Sequence, residues 1–189
     1  MKFIQIADVH LGLAPDAGKP WSLRRQQDIW DSFREVLAVA EREKVDLVLI
    51  AGDLFHRQPL MRELKQVHEL FGGLTRTKVA LIAGNHDYMH PRSNYRGFSF
   101  AENVIFFDRE QIRGVELPEY QACIYGLSYW HKEITDGLYD ALRPKDPAKI
   151  NILLAHGGDA KHIPMSEAAL RQNGFDYVAC GHIHKGGQI

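Results

Sequence analysis

Five short polar clusters punctuate this sequence: Asp8-Val9-His10, Gly52-Asp53, Gly84-Asn85-His86-Asp87, His156-Gly157 and Gly181-His182-Ile183-His184. They gather carboxylates, an amide oxygen and imidazoles in a 189-residue chain that has ten histidines in all. Such donors suit borderline divalent ions, manganese, zinc or iron, and require no thiolate. Asp8, His10, Asp53, Asn85, His156, His182 and His184 are too many for one ion and would serve two, with one carboxylate bridging. Two divalent ions bring four positive charges, of which Asp8, Asp53 and a hydroxide would remove three. The charge left over suits one phosphodiester anion. A pair of ions roughly 3.5–4 Å apart activates the nucleophile and clamps the phosphate for in-line displacement. Each fragment alone is weak, because a Gly-Asp pair is usually a turn and a single histidine usually a satisfied polar residue. Five in order, each behind an apolar run, give the pattern its weight.

The runs behind the clusters are "KFIQIA", "DLVLIA", "KVALIA", "INILLA" and "FDYVAC", and they read as strands buried on both faces. Helical periodicity lies between them. One stretch runs from about Ser22, a candidate cap, to Glu43, with Ile29, Phe33, Val36, Leu37 and Ala40 on one face. A second runs from about Pro59 to Phe71 and is closed by Gly72-Gly73. Between about Val104 and Tyr125 the pattern changes to shorter, meandering strands. Alternating strands and helices argue for a layered α/β fold. Sites in open α/β sheets gather at the carboxyl ends of strands, so five strands sharing one sheet would bring all five clusters to one rim. Side chains two apart on an extended backbone point the same way, which would aim Asp8 with His10, and His182 with His184, into one pocket. Gly52, Gly84, Gly157 and Gly181 would let the backbone turn sharply beside them.

Length and composition predict a single domain over residues 1–189 with a core that needs no disulfide staple. A net charge of -1 gives no global bias toward nucleic acid or membrane. The two cysteines, Cys123 and Cys180, form no C-x-x-C unit, and with the short apolar start they read as a reduced, cytoplasmic chain.

The ordered series D-x-H, G-D, G-N-H-D, H and G-H-x-H resembles that of the calcineurin-like metallophosphoesterases. The resemblance covers essentially the whole chain and implies mixed β-sheets flanked by helices. It also implies that Asp8, His10, Asp53 and His184 hold one metal, and that Asp53, Asn85, His156 and His182 hold the other. His86 would then stabilise the transition state or protonate the leaving oxygen, steered by Asp87. Within the superfamily, "MKFIQIADVHLG", "GDLFHRQPL" and "GNHD" look like the DNA double-strand-break repair exonucleases of the bacterial SbcD type. That likeness puts His56 near the substrate phosphate. It implies manganese-dependent hydrolysis of DNA at duplex ends and single strands, a coiled-coil ATPase partner and a homodimer. Family members continue into a capping domain, so the chain reads as truncated after the last metal motif. Gly186-Gly187 stands where the start of a proline-containing strand is expected.

Some residues stay outside this assignment. His90, His131 and His162 read as solvent-exposed. Arg57, Arg62, Lys65, Arg92 and Arg96 would contact DNA phosphates or simply be solvated. "NHDYMHPRSNYRGFSF" interleaves aromatics and arginines in a way that suits a single strand. The helix with Leu60, Leu64, Val67, Leu70 and Phe71 packs on the sheet, with a dimer face as a second use. The competing functions are a phosphodiesterase or phosphatase for small nucleotides, and a non-catalytic scaffold.

Overall fold

The apolar runs are divided between two four-stranded sheets rather than gathered in one. The computed structural model describes residues 1–184, so Gly186-Gly187 lie outside the described residues. Strands β1 (Phe3–Ile6), β2 (Leu47–Ala51), β3 (Lys78–Ile82) and β4 (Val104–Phe107) make a parallel sheet in the order β1-β2-β3-β4. Strands β5 (Arg113–Leu117), β6 (Ala122–Gly126), β7 (Ile150–His156) and β8 (Tyr177–Gly181) make the second, in the order β5-β6-β7-β8. Within it the β5–β6 pair is antiparallel, and the β6–β7 and β7–β8 pairs are parallel. The middle strands therefore do not meander: β4 completes the first sheet and the β5–β6 hairpin starts the second.

Helices α1 (Ser22–Arg42) and α2 (Met61–Gly72) cover the outer face of the first sheet, and a short α3 (Glu167–Leu170) lies before β8. Ser22 is the first helical residue of α1 instead of its cap. Helix α2 begins after Leu60, whose backbone N–H donates to the Glu63 carboxylate at 2.8 Å. Pro59 thus precedes the first turn.

Side-chain alternation explains why β2 is buried on both faces. Leu47, Leu49 and Ala51 meet Ile124, Ile152, Leu154 and Ala179 between the sheets. Val48 and Ile50 point the other way, to Phe33, Leu37, Leu64, Val67 and Phe71 from the helices. Each such aliphatic side chain, fully removed from water, contributes about 1.5–3 kcal/mol. Packing the sheets face to face brings the carboxyl ends of β1, β2 and β3 beside those of β7 and β8. Among the described residues no helix is long and apolar enough to cross a membrane.

Candidate metal centre

The polar clusters converge across the junction of the two sheets, although the backbone that carries them is not extended. Asp8, His10, Asp53 and His182 have φ of 53°, 52°, 50° and 94°. The expected alternation of an extended chain is therefore corrected: left-handed turns aim these side chains inward. Non-glycine residues in that region carry strain of about 1–3 kcal/mol each, and hydrogen bonds hold them there. His10 N–H donates to the Asp53 carbonyl at 3.0 Å and Leu11 N–H to the Leu54 carbonyl at 2.8 Å. The His182 N–H donates to the Asp8 carboxylate at 2.9 Å, and the His86 N–H to Asp53 Oδ1 at 2.9 Å.

Of the four glycines, Gly52 serves as expected, with φ of 83°. Gly84 is needed for close approach instead. A Cβ there would meet His156 Nε2 at 2.7 Å and collide with Asp53 Oδ1.

His156 is fully buried. Its Nδ1 lies 2.9 Å from the Ala51 carbonyl, which can only accept, so the ring proton sits on Nδ1. Its Nε2 then faces two further acceptors, Asn85 Oδ1 at 3.0 Å and Asp53 Oδ2 at 3.5 Å. Burial disfavours charge on both partners. Yet Asp53 lies below the usual carboxylate range because His156 binds it, and Asp53 raises His156 in turn. The pair attracts positive charge between its atoms, which is the requirement of a cation site.

A second convergence forms around His10, whose Nε2 lies 3.4 Å from His184 Nε2, itself 3.5 Å from Asp8 Oδ1. The His10 Nδ1 is buried without a hydrogen-bond partner among the described residues. Burial, reinforced by His86 and His56, pushes His10 down to about 4 despite the nearby Asp53 and Asp8. Its imidazole is thus neutral, the form that ligates metal. Donor atoms of Asp8, His10 and His184, and of Asp8, Asp53 and His156, lie within 4.8 Å of one another. Asp8 belongs to both groups. Asp53 Oδ2 lies 3.5 Å from His156 Nε2, and Asp53 supplies the strongest attractive charge on His10, so it too stands between them. These His and Asp groups could hold metal ions, and their donor chemistry fits that use.

His86 lies at the exposed side of the cluster, its ring 4.7 Å from that of His10 and stacked on His56 at 5.2 Å. Its Nδ1 is 3.0 Å from the His56 carbonyl, which leaves Nε2 for other partners. The expected steering by Asp87 is corrected on this point. Asp87 is fully buried and accepts from Gly84 N–H at 2.8 Å, Phe55 N–H at 3.1 Å and the Tyr95 hydroxyl at 2.9 Å. It ties the β2–α2 and β3–β4 connections together behind the site and, among the described residues, makes no hydrogen bond to the His86 ring. Burial, helped by the charge of Asp53, pushes Asp87 up to about 7. Burial and the neighbouring His86 and Arg57 lower His56.

His131 is exposed as expected, paired with Glu110 at 3.0 Å. His90 is half-buried, with its Nδ1 accepting from the Arg92 N–H at 3.1 Å. His162 departs from expectation: its ring centroid is 4.4 Å from that of His182, and both rings bond to Asp159. Sequence reasoning missed Asp159. The available signal was a D-x-x-H pair two residues behind the His156-Gly157 strand end. Tyr95, Phe98 and Phe100 pack into the core with Phe106, so these aromatics do not form an exposed stacking surface. Arg57 spends its guanidinium on Glu63, at 2.9 and 3.0 Å. Cys123 and Cys180 are unbonded, and burial raises the Cys180 thiol to about 11.

Residues 1–186 match the family model described as calcineurin-like phosphoesterase. The chain is 31% identical to an uncharacterized metallophosphoesterase, YhaO, of Bacillus subtilis, over 98% of this chain and 49% of that protein. It is 30% identical to the DNA double-strand break repair protein Mre11 of Methanocaldococcus jannaschii, over 98% of this chain and 52% of that protein. For Mre11 of Saccharolobus solfataricus the figures are 27%, 97% and 49%. The chain spans about half the length of the curated relatives it matches.

Proposed function

The chain belongs to the calcineurin-like phosphoesterases, and from that premise we propose that it is the catalytic domain of a dinuclear-metal DNA nuclease. The observation that carries the reading is the juxtaposition of a cation-seeking His/Asp cluster with His86 and His56 on its exposed side. The similarity to proteins named for DNA double-strand break repair supports DNA as the substrate.

In this reading Asp8, His10, Asp53 and His184 hold one ion, and Asp53, Asn85, His156 and His182 the other. Manganese is the expected metal, with zinc or iron as substitutes. When bound, the ions supply Lewis acidity toward the phosphate and lower the pKa of an attacking water. The protein's own groups do the rest. His10 presents a neutral nitrogen, and burial and the Ala51 carbonyl fix His156 with its Nε2 toward the cluster. His86 keeps its Nδ1 proton on the His56 carbonyl, which leaves Nε2 toward the site; a second proton, taken up there, would be the one given to the leaving oxygen. His56, held neutral beside it, contacts the phosphate. Asp87 acts on the backbone of the loops and not on the imidazole.

The whole protein is proposed to act in the cytoplasm with a coiled-coil ATPase subunit and to pair with a second copy. Leu60 and Met61 at the start of α2, exposed at 39% and 42%, support a dimer face there. A small-nucleotide phosphodiesterase is the second reading. It is favoured by the inward-folded aromatics and the internal pairing of Arg57.

The test is manganese-dependent hydrolysis of linear duplex DNA, single-stranded DNA and cyclic nucleotides by the full-length protein. Cleavage of DNA is expected. Turnover of cyclic nucleotides with intact DNA would replace the nuclease reading with the second one.

A further inference from the structure

Behind His182 lies a small structure that the proposed reaction does not use. Residues 157–163 form a tight loop after β7. The Gly158 N–H donates to the His162 carbonyl at 2.8 Å, and the Ile163 N–H to the Ile134 carbonyl at 2.7 Å. Gly157, at φ 142°, has no room for a side chain against the His162 carbonyl. Ile163 is fully buried and fixes the end of the loop.

The loop holds one carboxylate in a set orientation. Asp159 Oδ1 accepts from the Lys161 N–H at 2.8 Å, the His162 N–H at 3.0 Å and the His162 ring at 2.9 Å. Asp159 Oδ2 lies 2.8 Å from His182 Nε2. Four donors surround the carboxylate, and three of them come from its own loop.

A carboxylate accepts and does not donate, so His182 carries its proton on Nε2. The nitrogen left with a lone pair is Nδ1. The same logic operates at His156, where the Ala51 carbonyl holds Nδ1 and leaves Nε2 for the cluster. Apart from Asp159, His182 is held at its backbone N–H by the Asp8 carboxylate, at 2.9 Å. Its backbone is in the left-handed region, φ 94°, and its strand has ended.

From this geometry we infer that Asp159 is a positioning residue for His182: it fixes the tautomer that presents Nδ1 to a divalent ion, and His162 braces Asp159. The inference rests on the dinuclear reading above and adds the residues that orient one of its ligands.

Magnitude limits the claim. Losing an outer partner of a metal-bound histidine costs about 10–100-fold in metal affinity. The Asp159 side chain is 45% exposed, and solvent screens such a bond. The lower end, about 10-fold, is therefore expected for Asp159→Ala.

Calorimetric titration of manganese into metal-free wild type and Asp159→Ala tests this. Wild type should bind two equivalents. The variant should also bind two, one about 10-fold weaker and the other within about 2-fold of wild type. Histidine ¹⁵N spectra of the metal-free proteins should show His182 as the Nε2–H tautomer in wild type and as a mixture in Asp159→Ala. Asp159→Glu should recover part of the affinity, and all three proteins should melt alike. Unchanged affinity and tautomer in Asp159→Ala would overturn the inference while leaving the dinuclear centre intact. Three equivalents in wild type and two in the variant would instead make Asp159, His162 and His182 a metal site themselves. Fewer than two equivalents in wild type would remove the dinuclear premise, and this inference with it.

Discussion

Adding one methyl group at Gly84 should disable the centre. A Cβ built there lies 2.7 Å from His156 Nε2 and 2.8 Å from the Asp53 backbone nitrogen, and overlaps Asp53 Oδ1. All three atoms belong to fixed parts of the site. His156 is locked to Ala51, and Asp53 is held in a left-handed turn by bonds at both ends. Because φ of Gly84 is not positive, the penalty is steric and not conformational. Overpacking of this kind costs about 1–3 kcal/mol in stability. Relief requires Asp53 or His156 to move by about 1 Å, and a displacement of that size costs on the order of 100-fold in turnover. Gly84→Ala should therefore fold, with a lowered urea midpoint, and lose at least that much manganese-dependent hydrolysis of bis-p-nitrophenyl phosphate. Gly18→Ala is the control. Its φ of 86° carries strain, but its Cβ meets nothing within 4 Å, so stability should fall and activity should not. Near-normal activity and two bound metal equivalents in Gly84→Ala would refute the claim that close approach, and not turn geometry, selects glycine here.

Asp53→Asn should abolish hydrolysis and lower the occupancy of both metals, since Asp53 Oδ2 lies 3.5 Å from His156 Nε2 and its charge acts on His10; elemental analysis showing two full equivalents would contradict its bridging role. His86→Ala should retain its metal content and lose roughly 100-fold or more in turnover; loss of metal would make His86 a ligand. In the metal-free protein Asp87 holds its proton up to about 7, against 3.8 for the ordinary group. Between these values the folded state binds a proton that the unfolded chain has released, so this group's stabilisation is complete at low pH and is lost as pH rises through about 7. Urea unfolding from about pH 5 to 8 should fall more steeply for wild type than for Asp87→Asn, and parallel profiles would count against this assignment.

The sequence alone determined which residues could do chemistry and which segments carry them. Runs such as "DLVLIA" and "KVALIA" are too apolar to be anything but strands covered on both faces. The Asp, Asn and His clusters sit at their ends, and donor chemistry by itself called for cations. What the sequence could not supply was the path between those ends. Periodicity reports which face of a strand is buried, not which sheet the strand joins, so it could not say that the converging ends come from two packed sheets; the plural sheets were implied by the family resemblance. It also reports nothing about left-handed turns at non-glycine residues. Asp8, His10, Asp53 and His182 adopt them only because long-range hydrogen bonds outweigh the local cost. The same limit explains Asp87 and Asp159. Both are short carboxylates within three residues of a histidine in sequence, yet Asp87 turns inward to Tyr95 and Asp159 reaches His182, 23 residues away. A hydrogen bond between distant segments is decided by how the sheets pack, and that information exists only in the folded chain.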